Sequence, residues 1–252
     1  MFEQTKYIQN SFAINFARRL DIRRKSNEFE DVLKEKLEGH YGQPQVISVP
    51  DELDPEIPRL IFSSRHGFSQ IIVSQISITL NVTYSPDWQL GIENGREYLL
   101  KRINVLYEAL PLVDINRPYF AGLSTRARLS STADDRSILK YISQLFLKDS
   151  HEEKTHDIEL KLTSVYNKLF FSNITIRNYR IWKFAEPQQG IIRMAENEAS
   201  LRGIEVLGDF NDRYAFNEQR DYYSDSSVFG GIIGGGLAEI DRVIKKVRGA
   251  SA

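Results

Sequence analysis

Between Gln75 and Tyr84 the chain reads QISITLNVTY, with Ile76, Ile78, Leu80, Val82 and Tyr84 at every second position. Successive side chains of a strand point to opposite faces. The pattern therefore predicts a half-buried strand, with Ile76, Ile78, Leu80 and Val82 against a core and Gln75, Ser77, Thr79 and Asn81 on the other side. The same period of two recurs in Phe12, Ile14 and Phe16, and from Tyr119 through Ala121, Leu123, Thr125 and Ala127 to Leu129. "RLIFSS" ahead of Arg65-His66-Gly67, "HDIELKLTSVY", "KLFFSNITIRNYRIWKF" and "GIEVLGDFN" read as further strands.

Helical spacing separates these runs. It appears in Phe29, Val32, Leu33 and Leu37, which stop at Gly39, and in Leu99, Ile103, Leu106 and Leu110, which end at Pro111. "STADDRSILKYISQLFLK" carries carboxylates in its first turn, where they complement the helix dipole. A proline-rich crossing, "PQVISVPDELDPEIP", separates elements rather than building one. Strands joined by short turns, without regular βαβ alternation, predict an α+β fold with largely antiparallel sheet and about four helices. Two closely packed lobes of one compact unit are expected: a βαββαβ lobe over residues 1–130 and an α-β-β-β-α lobe over 131–252.

Composition bounds the function. The 33 basic and 34 acidic residues nearly cancel, so no overall field attracts nucleic acid or an acidic membrane, and such binding would be local. There is no cysteine, which excludes disulfides, thiolate metal ligands and thiol nucleophiles. No apolar run approaches the roughly 20 residues of a membrane span, and the start has neither signal-peptide nor presequence character. A cytoplasmic protein without a membrane partner is expected.

Known catalytic motifs do not fit. Five glycines fall between Gly230 and Gly236, but Leu237 follows where a phosphate loop needs lysine and then a hydroxyl residue. The sequence predicts a mobile loop over 226–236 feeding a last helix with Leu237, Ile240, Ile244 and Val247 on one side, docked on the protein's own core or on a partner. In "HEEKTH", His151 and His156 are five apart, about 140° around a helix, where a shared zinc needs four. Asp209, Asp212, Asp221 and Asp225 lack calcium-loop spacing, and no Gly-x-Ser-x-Gly elbow is present. His66 reads as a hairpin tip. The cluster Arg18, Arg19, Arg23, Arg24 and Lys25 reads as a solvated face. In "RNYRIWKF", alternation puts Arg180, Trp182 and Phe184 on one face and Arg177 with Tyr179 on the other, a basic and aromatic mixture of the kind single-stranded nucleic acid uses.

Pro58-Arg59 before a strand, Leu80-Asn81 at a strand's end, Tyr84 and Trp88 opening a helix, and Asp209-Phe210-Asn211 late in the chain come in an order that resembles a sporadically distributed family of uncharacterised bacterial and archaeal proteins. The likeness spans about residues 11–248; it implies a self-contained domain and lends no activity. Patchy occurrence is compatible with mobile defence or toxin–antitoxin cassettes. The leading expectation is a non-enzymatic binding protein with a protein partner or a second copy of itself. Its binding residues would be Arg180, Trp182, Asp209, Asn211, Leu237, Ile240 and Ile244, with no catalytic residue, metal or cofactor. The alternatives are an enzyme acting on nucleotides or nucleic acid through Asp209, Asp212 or His66, and small-molecule binding in an aromatic-lined sheet.

Overall fold

A computed structural model of the protein describes residues 1–147, 154–184 and 192–249. In chain order its elements are β1 (Lys6–Asn15), α1 (Ser26–Lys36), β2 (Gln45–Val46), β3 (Leu60–Ser63), β4 (Ser69–Val73), β5 (Ser77–Thr83), α2 (Ile92–Ala109), β6 (Phe120–Ser130), α3 (Asp135–Phe146), β7 (Glu159–Tyr166), β8 (Phe170–Ile181), β9 (Leu201–Asn211), α4 (Arg213–Glu218) and α5 (Ser226–Val247). The strands form one nine-stranded antiparallel sheet in the order β2-β3-β4-β5-β1-β6-β9-β8-β7. The fold is α+β, as the alternating patterns predict. Because β6 pairs with β1 on one side and β9 on the other, a single sheet runs through both halves of the chain.

Cross-strand register explains the core. Phe62, Ile71, Leu80, Phe12, Leu123 and Phe210 stand opposite one another on successive strands and are all buried. Each such side chain stabilises the fold by about 1.5–3 kcal/mol relative to exposure. Helices α1, α2, α3 and α5 cover this face: Phe29 of α1 meets Phe62, and Phe229 of α5 meets Phe12 edge-on. The neighbouring row, Gln70, Asn81, Ser11, Ser124, Asp209 and Asn173, lies on the opposite face. Among the described residues, the short α4 packs at one end of that face, through Tyr214 on Phe171 and Phe216 on Phe120.

Two expectations need correction. The predicted strand over 75–84 begins only at Ser77, because Ser74, Gln75 and Ile76 turn the chain between β4 and β5. No glycine or proline marks this turn. Instead the Ser74 hydroxyl accepts the N–H groups of Ile76 and Ser77 at 3.2 and 3.0 Å, replacing the ladder locally. Gln75 is fully buried, accepting from Arg18 and donating to the Asp51 carbonyl. From Ile78 onward the alternation is as read: Ile78, Leu80 and Val82 are buried, and Ser77, Thr79 and Asn81 turn away.

The second correction concerns the glycine run. Residues 226–236 are not a loop but the first half of α5, capped by the Asp225 carboxylate on the N–H groups of Ser227 and Val228. The glycines let the helix lie close on the sheet. A Cβ on Gly235 would sit 2.9 Å from Phe210 Cζ, and one on Gly236 3.1 Å from Phe210 Cβ and 3.2 Å from Leu123 Cδ2. From the sheet side, a Cβ on Gly208 would meet Ile240 Cδ1 at 2.6 Å. Leu237, Ile240 and Ile244 are thereby buried in the protein's own core, so they do not offer a face to a partner.

Gly234, by contrast, has nothing within 4 Å of its Cβ position. Gly234→Ala is expected to stabilise by about 0.5–1 kcal/mol through backbone entropy. Gly235→Ala gains the same entropy but overpacks against a ring held by Phe170, and should destabilise by about 1 kcal/mol net. Urea unfolding of the two variants checks the opposite signs; equal signs would refute the close-packing account.

Candidate functional site

Five segments of the first half converge on one cavity. They are the turn after α1, the β3–β4 hairpin tip, the end of β5, the loop that follows it, and one face of α2. The cavity measures about 250 Å³ and is bounded by His40, His66, Phe68, Tyr84, Trp88 and Tyr98, with Ser64 and Ser85 between them.

Local backbone chemistry sets each wall. Glu38 and Gly39 take positive φ angles of 53° and 64°, which turn the chain out of α1 and lay His40 along the hairpin. The His40 carbonyl accepts from Arg65 N–H at 3.0 Å, and Tyr41 bridges to Ser64. At the hairpin tip Gly67 has φ 72° and donates to the Ser64 carbonyl, presenting His66 and Phe68. Tyr84 is fixed by its hydroxyl, which accepts from Asn10 Nδ2 at 2.6 Å. It lies so close to α2 that a Cβ on Gly95 would be 2.6 Å from that hydroxyl. Pro86 opens the short 3-10 turn that carries Trp88.

Tyr98, in the second turn of α2, is the hub. Its hydroxyl lies 3.1 Å from His40 Nε2 and 2.6 Å from Ser69 Oγ, and Ser69 Oγ is 2.9 Å from the Tyr41 hydroxyl. A chain of hydrogen bonds therefore runs from the cavity wall into the core. Arg102, one helical turn on, places its guanidinium carbon 3.2 Å from the centre of the Tyr98 ring, and Trp88 meets that ring edge-on at 6.0 Å. Burial, followed by the neighbouring basic groups Arg102, His66, Arg65 and Lys101, holds the His40 pKa below the ordinary histidine value. His40 is thus neutral at pH 7 and can both donate and accept. Burial likewise pushes the Tyr41 and Tyr84 hydroxyls up, so both stay protonated. Among the described residues no carboxylate lines the cavity. Chemically, the arrangement can stack a flat ring and hydrogen-bond its edge, and the surrounding cations disfavour a positively charged guest.

The residues singled out from sequence lie elsewhere. The side chain of Arg180 is 6% exposed and ion-paired to Asp135 at 3.1 Å and Asp157 at 2.7 Å, while the Trp182 indole donates to the Ala195 carbonyl. The Arg180 hydrogen bond helps hold the Asp157 pKa down at about 2 although burial opposes it. Asp209 and Asn211 lie on the open face of β9, where the carboxylate accepts from the Asn173 and Asn211 side-chain amides. Asp212 is buried and accepts from Ala121 N–H and the hydroxyls of Tyr222 and Ser224, pinning the end of β9 to the start of α5. His66 is four strands away from β9, so the structure does not gather His66, Asp209 and Asp212 at one point.

His151 lies outside the described residues; His156 pairs with Asp157 and Glu196. Among the described residues no three His, Asp or Glu side chains gather as a metal site requires, and no helix is long and apolar enough to cross a membrane.

Sequence reasoning reached Tyr84 and Trp88 through the family resemblance and His66 as a hairpin tip, but missed His40, Phe68, Ser69 and Tyr98. The available signal was Tyr98 and Arg102, spaced one turn apart beside the apolar stripe of α2. No protein-family model matches the chain, and no curated protein matches it.

Proposed function

We propose that this protein is a non-enzymatic binding protein whose aromatic cavity takes a flat, uncharged or anionic ring about the size of a nucleobase. The reading keeps the binding class expected from sequence and moves the guest from a protein to a small ligand. It rests on one observation: rings from four separate segments converge on a cavity of about 250 Å³ whose polar groups are the neutral His40 imidazole, His66 and hydroxyls. That volume lies just below the roughly 300–1,000 Å³ of drug-sized sites, so one ring system fits and a whole dinucleotide does not. A cytoplasmic setting belongs to the same proposal, and a cysteine-free chain is compatible with it.

Calorimetry with adenine, and with choline as a cationic control, tests the proposal. Adenine is expected to bind saturably and choline not at all. Trp88 is 42% exposed, so Trp88→Ala should leave the fold intact. Losing a stacking surface costs about 1–3 kcal/mol per base, so this change should weaken adenine by roughly 5- to 150-fold. Absence of adenine binding at millimolar concentration, or tighter binding of choline, would overturn the reading.

A further inference from the structure

The face of the sheet opposite the helical layer holds a second constellation, unrelated to the aromatic cavity. Register places Gln9, Arg126, Leu207, Thr175 and Lys161 in one row across β1, β6, β9, β8 and β7. Two residues further along the strands comes the row of Ser11, Ser124, Asp209 and Asn173. The two rows line a groove of about 410 Å³. Its polar groups are sorted by charge. Arg126 and Lys161 stand three strands apart, roughly 14 Å between backbones at about 4.8 Å per strand, and both line the groove.

Arg126 has unused capacity. Its Nε is buried without a hydrogen-bond partner and lies 3.8 Å from the nearest carboxylate, that of Glu205, which is already engaged by Arg128 and Arg177. Asp209 stands two residues along the strand from this cationic row, a backbone offset of about 6.8 Å at about 3.4 Å per residue. The side-chain amides of Asn173 and Asn211 hold its carboxylate in place. Ser124 is exposed beside it. Among the described residues no aromatic ring lines the groove to stack a base.

We propose that this groove binds a hydroxylated anion of the sugar phosphate class, with Arg126 and Lys161 taking the phosphate and Asp209, Ser124 and Asn173 taking ring hydroxyls. Guanidinium and ammonium groups supply the charge-assisted hydrogen bonds that a phosphate requires, and a fixed carboxylate accepts from hydroxyls while repelling a second phosphate. The offset between the two rows matches a phosphate joined to one sugar ring. A polyanionic strand fits less well, because Asp209 would face its next phosphate and no stacking platform is present.

Titration calorimetry with ribose 5-phosphate, inorganic phosphate, ribose and a single-stranded oligouridylate tests this. Ribose 5-phosphate is expected to bind at least tenfold more tightly than inorganic phosphate or ribose. Arg126→Gln and Lys161→Gln, both at solvent-accessible side chains, should each weaken it about tenfold, and Asp209→Asn should reduce its advantage over inorganic phosphate. The proposal fails if ribose 5-phosphate does not bind at millimolar concentration, or if inorganic phosphate binds equally well. It also fails if the oligouridylate binds more tightly and competes, or if both glutamine variants bind ribose 5-phosphate like the parent.

Discussion

Gly203→Ala is expected to lower the unfolding temperature by about 6–12 °C, taking an overpacking cost of about 3 kcal/mol and roughly 2–4 °C per kcal/mol for a chain of this size. Gly203 sits in β9 between Ser130 of β6 and Tyr179 of β8, where the sheet continues on both sides. A Cβ there would lie 2.0 Å from the Leu129 carbonyl oxygen and 3.0 Å from the Leu129 carbonyl carbon and Ser130 Cα. These are backbone atoms, which cannot swing aside as a flexible side chain does. Relief would require parting β6 from β9 at the ladder that joins the two halves of the chain. Gly91→Ala serves as the control, since nothing lies within 4 Å of that position. Thermal melts followed by circular dichroism decide the matter; a Gly203→Ala melt within about 2 °C of the parent would show that the strands part at little cost.

Gly203 also marks where sequence reading stops. The alternation of Ile78, Leu80 and Val82 is a local property, fixed by the pleat, and it correctly separates the two faces of β5. The order β1-β6-β9 is not local. Nothing in the period of two says that a strand ending at Ser130 pairs with one beginning at Leu201. The glycine run misleads for the same reason. Isolated glycines disfavour helix by about 1 kcal/mol each, and the compensation comes from contact with Phe210 and Leu123, distant in sequence. Arg180 shows the electrostatic version. Alternation gives its face, but only the fold brings Asp135 and Asp157 to it and ties its charge into ion pairs. The aromatic cavity is harder still. His40, Ser69 and Tyr98 become one hydrogen-bonded chain only because a turn, a strand and a helix meet. What was legible there was Tyr84 and Trp88, which precede the start of α2.

Glu205→Gln is expected to destabilise the fold by about 3 kcal/mol at pH 7, the lower end for removing one partner of a buried ion pair. The Glu205 side chain is 2% exposed, whereas its partners Arg128 and Arg177 are 25% and 38% exposed, and water relieves part of their stranded charge. The carboxylate accepts from Arg128 Nε at 2.7 Å and from Arg177 Nη2 and Nε at 2.6 and 3.0 Å. Burial alone would raise its pKa, but the hydrogen bonds and charges of the two arginines outweigh burial and hold it below the ordinary glutamate value. The folded-state pKa is thus depressed. Its stabilisation is present above the unfolded value of about 4.3 and is lost as pH falls through the folded value. Glutamine does not titrate, so the gap between parent and variant should shrink as pH drops from about 5 toward 3, once other groups shared by both have cancelled. High salt should shrink it less, because screening acts weakly on a carboxylate this buried. Urea unfolding of both proteins at pH 7, 5 and 3.5 measures the gap. A gap that stays constant with pH would mean that Glu205 acts through shape and hydrogen bonding, and that the arginine cluster on the open face does not depend on its charge.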